Sequence, residues 1–218
     1  MFDVVSSERN FESFRLGENL GPFRVGFFYG VFAALIAVFA NFYFLILDPV
    51  ETRDWILAAA TDFIPLAALA MYIFLGVAAA FRTNPTRIDP DASYRSQVMR
   101  DAALAAAIVA VMVGSVNLVS TAIQATILSE NIRNFASEAA PRVAGYVEEV
   151  GEDLSDPPPV PSAGQVERGL QPPTLRSLGS SLGNTALGTM ALGALGGVIG
   201  ALRGRSNPDP PEEKPDEE

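Results

Sequence analysis

Four stretches of this chain are long, apolar and almost free of charge, and that pattern decides what it can fold into. Val25 to Leu47, VGFFYGVFAALIAVFANFYFLIL, holds no charged residue. Trp55 to Phe81 holds one, Asp62, while Ala102 to Leu128 and Ser177 to Leu202 hold none. A hydrocarbon core of roughly 30 Å is crossed by about 20 residues of helix. Backbone N–H and C=O groups in lipid must be satisfied within the segment, and a helix does this for single runs. Only 18% of the 218 residues are charged, against about 25% in a soluble domain. Too little polar sequence remains to wrap a soluble core around four such runs. The expectation is an all-α membrane protein with four transmembrane helices, near residues 25–47, 55–81, 101–128 and 176–203.

The four runs are not equivalent. The first is dense in phenylalanine and branched residues, and the third is alanine-rich but uninterrupted. The second is interrupted by Asp62 and Pro65. The fourth, containing GNTALGTMALGALGGVIGALRGR, is rich in glycine and less hydropathic. Its alternative is a helix lying in the interface or packed on the other three.

Glycine in a helix costs about 1 kcal/mol against alanine in water. In lipid, helices associate by close backbone approach, which small residues permit. Gly193 and Gly197, Gly196 and Gly200, and Gly200 and Gly204 are each four apart, and Gly179 and Gly183 repeat the spacing. Such positions stack on one helical face. Two uses follow: a surface for self-association or other membrane chains, or packing against the chain's own first three helices.

Asp62 is the one carboxylate within a run, and an intramembrane carboxylate is a pathway candidate by default. Pro65 follows three residues later, where a first helical turn tolerates proline. The preferred reading makes Thr61 or Asp62 the N-cap of the second span, with DWILAAA an interfacial piece. In the third run Asn117, Thr121 and Gln124 recur at helical spacing, so one face is polar. Asn41 of the first run stands at a position to meet them. Interhelical hydrogen bonding is preferred over a hydrated path.

Beyond the third run, Ile132, Phe135, Ala139, Val143, Tyr146, Val147 and Val150 recur at threes and fours across residues 129–150. That predicts an amphipathic extramembrane helix, bent near Pro141. Residues 151–175 read as an extended proline-rich linker. The tail 204–218 ends in SNPDPPEEKPDEE and reads as disordered and acidic. Residues 1–24 read as an amphipathic or disordered leader without the basic-then-apolar layout of a cleavable signal. The three-helix membrane region is then 25–128.

Four spans put the basic residues of the N-terminal segment, the 82–100 connection and the tail on one side: Arg9, Arg15, Arg24, Arg82, Arg87, Arg95, Arg100, Arg203, Arg205 and Lys214. The other side holds Arg53, Arg133, Arg142, Arg168 and Arg176. The positive-inside rule then places both termini in the cytoplasm, or in the interior of a virion.

Missing residue types narrow the chemistry. Without histidine or cysteine there is no imidazole or thiolate ligand, disulfide or histidine base. Lys214, the only lysine, lies in the tail, which leaves no Schiff-base lysine in the bundle. No cofactor and no metal are expected. A net charge of −10 disfavours nucleic acid, whose phosphates need a positive surface. Acidity with almost no lysine suits a salt-rich cytoplasm, although a GC-rich genome accounts equally for arginine over lysine. In layout alone, the chain resembles structural proteins of membrane complexes or membrane-containing virions, and also holin-like pores. The first expectation is a non-enzymatic scaffold or accessory subunit, bound to the bilayer and to other membrane chains through the glycine-rich helix. The second is a small oligomeric pore or transporter component using Asp62, Asn117, Thr121 and Gln124. A membrane enzyme is third.

Overall fold

The structure, a computed structural model, describes residues 21–85, 92–152 and 160–205. All its elements are helices: α1 Pro22–Phe42, continued by a 3-10 turn Tyr43–Leu45, α2 Asp54–Arg82, α3 Tyr94–Thr126, α4 Ser129–Glu152, α5 Ala163–Leu170 and α6 Ser177–Arg203. No strand occurs among the described residues. α1 with its turn, α2, α3 and α6 are each long and apolar enough to cross a membrane. The chain is an all-α, multi-pass membrane protein, and the glycine-rich run is one of the four helices long and apolar enough to cross. Most of the expected leader and acidic tail lies outside the described residues.

The ends of the spans follow local chemistry. Pro22 starts α1 in its first turn, where the missing N–H costs nothing. α3 begins at Tyr94 rather than near residue 101, because Ser93 caps it by accepting the Ser96 N–H at 3.3 Å. Its polar first turns carry Arg95 and Arg100, so hydropathy alone misses them. α2 starts at Asp54, not at Asp62, and runs unbroken through Pro65. Asp62 is therefore no cap, and DWILAAA is the first part of the same helix. A spanning helix tolerates an internal proline when neighbouring groups re-satisfy the backbone it frees; Pro65 removes the donor to the Thr61 carbonyl, while the Thr61 hydroxyl folds back onto its own helix at the Ala58 carbonyl, 3.0 Å away.

α3 is the hub, packing on α1, α2 and α6. α1 runs parallel to it, since Gly26 meets Ala105 and Gly30 meets Met112, and α6 antiparallel, since Gly196 meets Ala102 and Gly204 meets Arg95. The interior is made of small residues: Ala33, Ala37, Ala79, Ala102, Ala105 and Ala106 are essentially inaccessible. The large apolar side chains point outward, among them Phe27, Phe32, Phe39, Phe74, Leu187 and Val198. A soluble bundle does the reverse. Lipid offers no penalty to an exposed phenylalanine, while alanine and glycine let backbones approach.

α4 forms the expected amphipathic helix and passes through Pro141 without interruption. Phe135, Ala139 and Val143 cover Leu57 and Ala58 at the start of α2, with Tyr43 and Phe44 beside them. Arg142 turns inward to pair with Asp54 at 2.6 Å and donates to the carbonyls of Pro49 and Val50, fixing the α1–α2 turn. The linker reading needs correction over its described part. Residues 163–170 form α5, started by a capping box in which Gln165 Oε1 accepts the Ser162 N–H at 2.9 Å. Val166 and Leu170 bring α5 onto the Phe135 cluster, so this segment joins a core rather than spanning open solvent. Residues 153–159 lie outside the described set.

Candidate functional site

The polar residues of α3 find partners on α1 and α6. Asn41 Nδ2 donates to Asn117 Oδ1 at 2.9 Å and to the Ala37 carbonyl at 2.7 Å. Gln124 Nε2 donates to the Asn41 carbonyl at 2.5 Å, satisfying a group that the end of α1 leaves open. Thr121 Oγ1 donates to the Asn117 carbonyl at 2.7 Å and lies 3.4 Å from Ser181 Oγ of α6. Asn41, Asn117, Thr121 and Ser181 line one end of a cleft of about 690 Å³. Its walls are Pro65, Leu69, Tyr72 and Ile73 of α2 and Asn184, Thr185, Gly188, Ala191 and Leu195 of α6.

The cleft lies beside the point where α2 and α6 touch. Toward the chain termini, α2 and α6 touch through Gly76 against Leu192. There Arg203 also donates to the carbonyls of Ala80 at 2.8 Å and Thr83 at 2.9 Å and to Asn84 Oδ1 at 2.9 Å, capping α2. On the α4 side of that contact the cleft lies between the two helices, with Asn117 and Thr121 of α3 lining it.

The depth of the cleft follows from helix length. About 20 residues cross the hydrocarbon. Counted from Arg24, Arg82, Asp101 and Arg203, that length ends near Phe44, Asp62, Thr121 and Gly183. Asn41 and Asn117 lie just inside this level; Thr121, Ser181 and Asn184 lie close to it. The cleft is thus polar near one membrane boundary and apolar deeper in, where Val113, Leu192 and Leu195 line it.

Asp62 belongs elsewhere. It is exposed on α2 and lines a shallow groove with Trp55, Phe63, Tyr146 and Val150, facing α4. It does not join Asn117, Thr121 and Gln124, so the single polar path that would use all four does not form in one chain. The described residues contain no group of three or more acidic side chains placed to hold a metal ion.

The glycines divide into two kinds. A Cβ built on Gly196 would lie 2.7 Å from the Ala102 oxygen, on Gly200 2.7 Å from Val98 O and Met99 Cα, and on Gly204 2.8 Å from Arg95 Cα. A Cβ built on Gly193 or Gly197 would lie 3.7 Å from Ala107 or Ala103 respectively, an ordinary contact that accepts a methyl group. Gly179 and Gly183 share the spacing but face nothing within 4 Å. Equally close approaches occur at Gly26 and Gly30 of α1, against Ala105 and Met112, and at Gly114 of α3, against Thr185. The four-residue spacing in VGFFYG signals the first pair; Gly114, alone on a polar face, gives no such signal. Ser181, Asn184 and Thr185 also escape a sequence reading, because glycine dominates their run. No family model, no curated protein and no solved structure matches the chain.

Proposed function

We propose that this protein is a non-enzymatic scaffold or accessory subunit of a membrane complex or membrane-containing virion, with both termini on the cytoplasmic or internal side. The observation that carries the reading is where the polar groups stop. Beyond the cleft, Ala79, Ala105 and Val109 belong to one buried cluster and Ala80, Ala102 and Ala106 to another, all with no more than 1% exposure. A packed interior of that kind leaves no hydrated route across a single bundle, which weighs against a monomeric pore. The partner surface moves with the structure. Gly196, Gly200 and Gly204 are filled by α3, so other membrane chains would meet the outward face of α6, through Leu187, Met190 and Val198. Outside the membrane they would meet α4, whose exposed Glu130, Glu138, Glu148 and Glu149 outnumber Arg133. Extraction from native membranes into nanodiscs, followed by native mass measurement, tests this. A fixed-stoichiometry assembly with other chains is expected. A monomer alone, or solute flux in proteoliposomes of the pure chain, overturns it.

A further inference from the structure

We propose that the cleft between α2 and α6 is a binding site for one uncharged lipid whose head carries a hydroxyl or similar donor–acceptor group. A lateral opening in a bilayer is filled by whatever the bilayer supplies, so its lining selects the occupant. The volume of about 690 Å³ falls within the range of small-molecule pockets. No charged residue lines it, so a phosphate or ammonium head would enter without a counter-charge, at high cost in low dielectric.

Uncharged hydrogen-bonding atoms are available at the right end. The Asn184 side chain lines the cleft and makes no hydrogen bond to another described residue. Asn41 Nδ2 and Asn117 Oδ1 are used on each other, which leaves Asn41 Oδ1 as acceptor and Asn117 Nδ2 as donor. Side-chain amides at this depth gain from partners that hydrocarbon cannot offer. A hydroxyl can both donate to and accept from them. Below this polar end, Ile73, Leu192 and Leu195 continue the cleft toward the bilayer centre, the direction an acyl chain takes from a head at the boundary.

The test uses the full chain in phosphatidylcholine nanodiscs and two photoreactive probes with the same diazirine-bearing acyl chain. One is a diacylglycerol, the other a phosphatidylglycerol. Diacylglycerol should label peptides around Ile73 and Leu195 at least fivefold more than phosphatidylglycerol does. Gly188→Leu directs a side chain into the cleft from a position with nothing within 4 Å. It should cut that labelling about tenfold while the thermal midpoint stays unchanged. Asn184→Leu should keep the labelled positions but reduce the preference for diacylglycerol about fivefold, as loss of a neutral hydrogen bond implies. Equal labelling by both probes, or labelling indifferent to Gly188→Leu, would show ordinary annular lipid and sink the proposal. The chain lacks cysteine, so Ile73→Cys offers a further reading. Rapid formation of a disulfide between copies would bring residue 73 of two chains together at the cleft mouth, so that a second copy rather than a lipid covers it, and would also overturn the proposal.

Discussion

Asn41 and Asn117, 76 positions apart in sequence, bond side chain to side chain at 2.9 Å inside the polar end of the bundle. The bond joins α1 to the hub helix at the level where the cleft opens. Interhelical hydrogen bonds in membranes are worth about 0.6 kcal/mol on average and at most about 1.7, since the separated helices find other partners. A double-mutant cycle of Asn41→Ala and Asn117→Ala, read by reversible unfolding in detergent, should give a coupling within that range. A coupling indistinguishable from zero would mean that the pair is incidental to holding α1.

Asp62 invites a different expectation. It makes no hydrogen bond or ion pair among the described residues, and its helix does not start there. Near the membrane boundary its carboxylate can reach water along the α2–α4 groove. Asp62→Asn should therefore shift stability by less than about 0.5 kcal/mol, as ordinary surface changes do. Solute permeability of proteoliposomes should be unaltered. A conductance that disappears on this single change would restore the pathway reading.

Arg142 holds α4 on the membrane core by one ion pair and two carbonyl contacts. Its side chain is 33% exposed and that of Asp54 48%, so solvent and salt weaken the pair to about 1 kcal/mol or less. Arg142→Leu also leaves the Pro49 and Val50 carbonyls without this donor, although water can reach them. Limited proteolysis should cut the α1–α2 turn faster in the variant, with the spanning helices still resistant. Cleavage rates equal to those of the parent chain would show that Phe135 and Val143 alone dock α4.

The spans are readable from sequence because lipid imposes one dominant rule, length with almost no charge, and three of the four runs carry none while the second carries only Asp62. Asn41 opposite Asn117 was also within reach, since both follow helical spacing in runs of known direction. Asp62 misleads because proline in a soluble helix marks a first turn, whereas neighbouring groups in a membrane protein tolerate Pro65 inside one. The start of α3 is hidden for the opposite reason: its first turns project beyond the hydrocarbon and are polar. α5 is short enough to vanish among prolines unless the Ser162–Gln165 pair is recognised. The cleft itself leaves no trace in any one segment. It is lined jointly by α1, α2, α3 and α6, so no one of these runs carries its signature.

The glycine row permits the sharpest test, because equal spacing meets unequal surroundings. Gly200 and Gly179 both belong to four-residue pairs in the same helix. A side chain at Gly200 collides with the α3 backbone at Val98 and Met99, while one at Gly179 meets open space. Leucine at either site should improve insertion, being more apolar than glycine. Gly200→Leu must then push α6 away from α3, and overpacking of this kind costs about 1–3 kcal/mol. Its cost should sit at the upper end, since the obstacle is backbone rather than a side chain that can rotate. Gly197→Ala, with its nearest neighbours at 3.7 Å, should be close to neutral, and Gly179→Leu should leave the isolated chain as stable as before. Protease resistance of the purified monomer separates the cases. Gly200→Leu should become sensitive between α3 and α6 while the other two resist. If instead the Gly200→Leu monomer stays resistant and only a larger native assembly is lost, then α6 meets another chain through this face rather than α3.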